Sequence, residues 1–595
     1  MQINTVNLLD YALIGLYLVI ILWIGFYAAS KSKSSDDYFR ASGRMPWILA
    51  GVSNWASGFT AYMFVVAAGF AYKNGIGALL LYTSPFWGYL ICFFFFAPAW
   101  RRSRIKAPYE FLTKRYSFST TWFYSVLSII PSVFTVGSGL YILCIFGSTA
   151  VGLNETTVQI GSLTFAGWQL FVVILGTVLV LYSMAGGLWA AVISESLQSL
   201  IIMVMVLIIF PVTFAYLGSD AGMVAGFKRL MREAPEGFLT RINGPAASPV
   251  FTFCWVAAAV IHMCTSIPMI QRYISVSTER ETRKMASLCA VLALVGPILW
   301  ILPAMASKVI FPDIAHVWKS FPEPEEASFV GLALTLLPHG MLGFVVAAIL
   351  SATLGTENAL LNVLSSVITQ DLYLPLRRIL GCLEPTEKHK VRFARAAILV
   401  MGIVGITLAL FVPKLGGAFK LVAFLSTIVV GLAMPFGLGL LFRRTPWWSA
   451  IVTCLAYILF VVVSEFTEFF SAVSFERNML GVLIICPMVF FCTAFWWNAA
   501  DPRNASILAF DADMRSPLPV PPEEGRSTRS ENKVFSVLGI LSFLFAGTLV
   551  ICGIVVPSTP VVSSKINFMA AALLAIMGGL LYHYGSARRA HRSGD

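Results

Sequence analysis

The chain is 595 residues long, with 58% hydrophobic and only 12% charged residues. A soluble protein of this length carries about 25% charged residues, so there is too little polar side chain here to cover a water-facing globule. A soluble enzyme, a nucleic-acid binder and a disordered chain are excluded, and the formal charge of +12 is expected to mark the cytoplasmic loops of a polytopic membrane protein.

A membrane-crossing helix needs about 20 apolar residues. Fifteen segments meet that measure: 8–29, 46–73, 76–99, 119–150, 163–184, 188–216, 249–275, 283–311, 338–371, 391–413, 417–442, 446–467, 479–497, 534–556 and 565–586. The first does not read as a signal peptide, since its leading end carries Asp10 and no Lys or Arg, while Lys31 and Lys33 follow it. That polarity places the N-terminus outside. Threading fifteen crossings from there puts 30 of the 41 Lys and Arg on the inner face, with Arg272 counted in the loop after 249–275 and Arg115 in the loop before 119–150. A missed crossing would invert every later loop, so the bias supports the count. The expected location is the plasma (bacterial inner) membrane, with the C-terminus cytoplasmic.

Residues 217–248 are predicted to be an outer loop able to form a short surface helix. Segments 446–467 and 479–497 add two helices, and the Pro-rich stretch 498–533 reads as a flexible cytoplasmic linker to a last helix pair and basic tail within 534–595. The ten cysteines include no Cys-x-x-Cys pair and no Cys/His cluster, so neither a disulfide framework nor a zinc site is indicated.

A charge at mid-membrane costs roughly 2.5–3.5 kcal/mol on insertion scales, which singles out Glu195, His262 and Glu357, with Asn54, Asn358 and Asn362 beside them. In the run Gly51 to Ala61, small and β-branched residues surround Gly58. A helix that unwinds there frees backbone carbonyls to line a cavity or hold an ion; close helix packing is the other reading. In the run Ala352 to Asn362, Thr353, Thr356 and Glu357 share one helical face. Hydroxyls, carbonyls and a carboxylate suit a hard alkali cation, although Glu357 also reads as hydrogen-bonded within the bundle. Glu195, Gln198 and Ser199 form a second oxygen-rich stripe. His262, whose imidazole titrates near neutrality in water, is either a proton site or a neutral hydrogen-bonder.

The stretch Tyr182-Ser183-Met184-Ala185-Gly186-Gly187-Leu188-Trp189-Ala190-Ala191-Val192-Ile193-Ser194-Glu195-Ser196-Leu197-Gln198 resembles the signature of the sodium:solute symporter family. Asp37-Tyr38-Phe39, Gly43-Arg44-Met45-Pro46-Trp47, Gln271-Arg272-Tyr273 and Asn362 to Asp371-Leu372-Tyr373 are similar to further family motifs. The resemblance spans residues 8–445 and implies an all-α fold. Its core is ten helices in two inverted five-helix repeats, here 46–216 and 249–445, preceded by an extra helix and loop at 1–45. It also implies a sodium site with carbonyls from Ala56, Phe59 and Ala352 and side-chain hydroxyls at positions 355 and 356.

Gly355 stands where the family usually has Ser, and Thr356 keeps its hydroxyl. Four oxygens remain, so sodium would bind weakly, take a water or recruit Glu357. Glu195 replaces the family's Asp, and two carboxylates near a depleted site also admit proton coupling. Sodium is preferred because Thr356 and both carboxylates survive. On the substrate side, Gly58, Met63, Ala259 and Ala423 are apolar where sugar binders place polar groups. Thr135 falls where sialic acid carriers have Arg, His262 takes a gate position that is often aromatic, and Thr60 borders the same place. A solute smaller or less polar than a polyol is implied.

The expectation is a cation-coupled symporter, with sodium as coupling ion, for a small organic solute. Its partners are that solute and the bilayer, with no nucleic acid and no obligate protein partner. The alternatives are a proton-coupled or uncoupled carrier and a non-transporting sensor, which is disfavoured because 498–595 holds no kinase-sized domain. An enzyme is not expected, since no nucleophile–base pair or metal cluster appears.

Overall fold

The computed structural model describes residues 6–590, apart from 30–44, 59, 151–152, 154–156, 161–162, 243, 318–323, 416–417, 467–473, 517, 519–526 and 557–562. The predicted motifs Asp37-Tyr38-Phe39 and Gly43-Arg44 therefore lie outside the described residues. The regular structure among the described residues is helical, apart from one antiparallel hairpin of Thr157–Ile160 and Leu163–Ala166 and an isolated bridge between Met45 and Val276. That hairpin takes the first residues of the predicted segment 163–184.

In lipid the backbone must satisfy its own hydrogen bonds, and apolar runs of this length do so as helices. The helices used below are α1 (Leu8–Ala29), α2 (Trp47–Ala56), α3 (Ala61–Phe64), α4 (Phe118–Ala150), α5 (Gly167–Gly218), α6 (Pro249–Thr265), α7 (Ile267–Ser275), α8 (Glu279–Ile310), α9 (Met341–Ser366), α10 (Ala418–Leu441), α11 (Ala505–Arg515), α12 (Ser527–Val555) and α13 (Lys565–Ala590). Among the described residues, eleven helices are long and apolar enough to cross a membrane, or up to thirteen if each of two bent pairs is one crossing. Leu8–Ile24 and Ser449–Ser464 are shorter apolar helices. All of them fall on predicted segments.

The bent pairs position the site. The helix α2 meets the stretch Ala61–Asn74 at 55°, and α6 meets α7 at 42°. Between α2 and α3 the chain passes through Gly58 and the extended Thr60 (φ −131°, ψ 177°), whose side chain accepts from the Tyr62 N–H at 3.2 Å and so caps the helix that restarts. Between α6 and α7, Ser266 is extended and Pro268 stands in the first turn of α7, where its missing N–H does no harm.

Helix α9 is deeply enclosed, every residue from Met341 to Leu350 being buried. Its first turn is braced by both ends of the chain. Asp10 of α1, fully buried, accepts from the N–H groups of Gly340 at 2.6 Å and Gly343 at 2.8 Å, and lies 2.9 Å from His339 Nδ1. Asn567 of α13 donates to the His339 carbonyl at 3.0 Å. Gly340 holds φ +88°, and a Cβ there would meet Cys552 of α12, so glycine is required on both counts.

Two features depart from the sequence expectation in segments predicted to be cytoplasmic. Arg115, predicted as a loop charge, is fully buried. Its guanidinium donates to the carbonyls of Gly439 and Phe442 at 2.9 Å each, satisfying orphan acceptors at the end of α10. The predicted flexible linker contains α11, with Ile507, Phe510 and Met514 buried at helical spacing. Asp511 on α11 pairs with Arg443 and with Arg515. Burial pushes the Asp511 carboxyl up, but the two arginines outweigh it and hold it below its usual range. The predicted outer loop carries the helix Gly222–Glu233.

Candidate functional site

The break between α2 and α3 rests against the face of α9 that carries Thr353 and Thr356. The Ala61 N–H donates to Thr353 Oγ1 at 2.7 Å, which supplies one of the orphan donors at the start of α3. Thr356 Oγ1 lies 3.1 Å from the Ala352 carbonyl and 3.4 Å from the Ser57 carbonyl. Ala56, buried, ends α2 at this place. Three of the predicted sodium-site residues, Ala56, Ala352 and Thr356, are thus brought to one junction, and Phe59 lies outside the described residues. The donors are hydroxyl and carbonyl oxygens, and no group of three or more His, Cys, Asp and Glu able to hold a metal occurs among the described residues. This chemistry fits a hard monovalent cation rather than a transition metal.

Position 355 gains an explanation. A Cβ on Gly355 would collide with the carboxamide of Gln198, whose Cδ lies 2.7 Å from that point. Gln198 is buried on α5 and its Nε2 has no hydrogen-bond partner among the described residues.

Glu195 is paired: both its carboxylate oxygens accept from Arg272 Nη2, at 2.6 and 2.7 Å, and it accepts from the Ser53 hydroxyl. Arg272 Nε donates to Ser53 Oγ at 3.0 Å and Nη1 to the Pro268 carbonyl at 2.9 Å. Arg272 is therefore not a loop charge: α7 turns it inward, and its side chain is 4% exposed against 1% for Glu195. A buried pair persists only when its remaining donors and acceptors are met, as they are here. The pair and Ser53 tie α2, α5 and α7 together on one side of the break.

Glu357 behaves oppositely. It sits on α9 with its carboxyl over Gly139 of α4, where a Cβ would collide with Oε1 and lie 2.9 Å from Cδ. The residue is 3% exposed and Oε2 has no hydrogen-bond partner among the described residues. The expectation of a carboxylate satisfied by packing hydrogen bonds is not met at that atom. One helical turn on, Asn362 donates to the carbonyl and Oδ1 of Asn358 at 2.9 Å each.

Of the predicted substrate-side residues, Gly58 and Thr60 flank the break and Met63 lies half-buried on α3. Thr135 has its hydroxyl engaged inside α4, donating to the Pro131 carbonyl at 2.8 Å. Ala259 and His262 are half-buried on α6, and the side chain of Ala423 lies outside the described residues. On the α3 side of the break an aromatic layer gathers that sequence spacing did not show. The hydroxyls of Tyr62 and Tyr82 are 3.4 Å apart, and Tyr82 meets Trp255 and Trp300 edge-on at 5.9 and 5.7 Å. Trp255 Nε1 donates to the Leu81 carbonyl at 3.1 Å. The junction is therefore flanked by an ion pair on one side and aromatic rings on the other.

Residues 38–452 match the family model described as the sodium:solute symporter family. The sodium/sialic acid symporter NanT of Aliivibrio fischeri is 24% identical over 533 residues, covering 87% of this chain and 99% of that protein. The sodium/glucose cotransporter of Vibrio parahaemolyticus is 26% identical over 534 residues, covering 84% of this chain and 93% of that protein. A solved structure of a Na+-coupled sialic acid symporter in a substrate-bound outward-open state matches with a TM-score of 0.69 at 21% identity, over 83% of this chain and 98% of that one. That likeness shows a shared fold. With most of its length matched by that model, the chain belongs to the sodium:solute symporter family.

Proposed function

We propose that this protein is a sodium-coupled symporter that takes up a small organic solute by alternating access around the junction of the α2–α3 break with α9. The observation that carries this reading is the Thr356 hydroxyl, set against the carbonyls of Ala352 and Ser57. Ala56, Phe59, Ala352 and Thr356 would hold sodium, which when bound supplies a positive charge that fastens the unwound segment to α9. The ion pair on one side and the aromatic layer on the other are the natural places for the two gates. The bent pairs are the first segments of the two proposed repeats, 46–216 and 249–445, within fifteen crossings that start outside and end in the cytoplasm. A membrane potential of about 100 mV contributes about 2.3 kcal/mol per charge moved inward, roughly forty-fold in accumulation.

The named relatives carry sialic acid and glucose. Here Gly58, Met63, Ala259 and Ala423 offer no polar group and Thr135 no cation, which favours a smaller or less polar solute. Proton coupling is the second reading, supported by the buried Glu357 carboxyl, whose Oε2 has no hydrogen-bond partner among the described residues. Thr356→Ala is expected to raise the sodium concentration for half-maximal uptake by about tenfold, the scale on which a lost metal-site contact is felt. Unchanged sodium dependence in that variant would remove Thr356 from the site.

A further inference from the structure

We infer that Gln198 of α5 is a further ligand of the cation junction, its amide oxygen occupying the space that a side chain at position 355 would fill; this rests on the sodium reading above. Gly355 lies on α9 between Ala352 and Thr356, and a β-carbon there would collide with Gln198 Oε1 and lie 2.5 Å from Nε2 and 2.7 Å from Cδ. The carboxamide therefore lies directly over the one residue of this α9 turn that has no side chain.

Gln198 is aimed there by its neighbours. Three residues earlier, Glu195 is fixed by Arg272 and Ser53. One residue later, Ser199 Oγ donates to the Glu195 carbonyl at 2.6 Å and lies 3.4 Å from the Val52 carbonyl. This part of α5 is thus pinned to α2, and the Gln198 side chain crosses to α9. It is 2% exposed, and its Nε2, an N–H donor, has no hydrogen-bond partner among the described residues. That donor cannot ligate a cation; the atom that can is Oε1, the carboxamide atom nearest the point where a side chain at position 355 would begin. A primary amide offers a hard carbonyl oxygen, the donor type that a sodium ion takes from the rest of the junction. Glycine at 355 and glutamine at 198 then act as one unit: the oxygen comes from the neighbouring helix because the side chain on α9 is absent.

The test uses full-length purified protein and sodium alone as probe, reading the thermal midpoint as sodium replaces choline at constant ionic strength. A ligand that binds the folded state raises that midpoint in proportion to its saturation. In Gln198→Met, which keeps the volume and loses the oxygen, the half-saturating sodium is expected to rise about tenfold or more. Gly355→Ser, although it adds a hydroxyl, is expected to weaken sodium binding because its Cβ strikes Gln198. Combining it with Gln198→Ala clears that space, and the double variant is expected to respond close to the unaltered protein. Gln198→Glu retains an oxygen and is expected to keep its sodium response, which separates a lost ligand from a damaged fold. A Gln198→Met variant with unchanged half-saturation, or a Gln198→Glu variant without a response, overturns the assignment of Gln198 and leaves the sodium reading standing. Absence of any sodium response in the unaltered protein overturns both.

Discussion

Arg272→Met is expected to destabilise the protein by about 3–5 kcal/mol, because it leaves Glu195 charged, buried and without a counter-charge. The loss is read as a lower thermal midpoint in detergent and a lower yield of folded protein. Glu195 is 1% exposed and Arg272 Nη2 lies within 2.7 Å of both its oxygens, so water cannot replace the guanidinium without opening the contact of α2, α5 and α7. The single change Glu195→Gln strands the guanidinium in the same way. The double variant, Arg272→Met with Glu195→Gln, is expected to recover most of the stability, since a neutral, well-packed replacement of a buried pair is often no worse than the pair. A double variant whose loss equals the sum of the single losses would show that the two residues do not act together.

Asp10→Ala is the second large effect. Its carboxylate serves the N–H groups of Gly340 and Gly343, and both are buried under α1. Each orphaned N–H costs about 1–3 kcal/mol, and the helix that loses its cap is α9, which carries Thr353 and Thr356. A lower thermal midpoint is therefore expected together with a higher half-saturating sodium concentration. Asp10→Asn keeps an oxygen for the same N–H groups and should lose much less on both measures. An Asp10→Ala variant that melts with the unaltered protein would show that the brace contributes nothing.

The broken helix and the α9 face were legible because membrane depth is a strong constraint. Gly58 amid small residues is a place where a lipid-embedded helix can open, and Thr353 and Thr356 fall on one face by helical period alone. What could not be read is contact between distant segments. Arg272 lies 77 residues from Glu195, at the end of an apolar run, where a charge ordinarily belongs to a loop. Only the restart of the chain as α7, behind Ser266 and Pro268, turns it inward. The loss of a side chain at Gly355 was visible, but its filling by Gln198 depends on how α5 is pinned to α2. Arg115 was masked for a similar reason, since its acceptors are the last carbonyls of a helix more than 300 residues later, Gly439 being 324 positions away. The helix α11 was in principle readable. Ile507, Phe510 and Met514 keep helical spacing, but the prolines that follow dominate the composition of 498–533.

The most direct measurement is uptake into proteoliposomes of a panel of small organic solutes, sialic acid and glucose among them. An inward sodium gradient is imposed at equal pH, and separately a pH gradient is imposed with choline on both sides. Sodium-coupled symport predicts that one solute accumulates above its outside concentration under the sodium gradient alone, and that Thr356→Ala shifts this to higher sodium. Accumulation that follows the pH gradient and ignores sodium would contradict it and move the coupling to the Glu357 carboxyl.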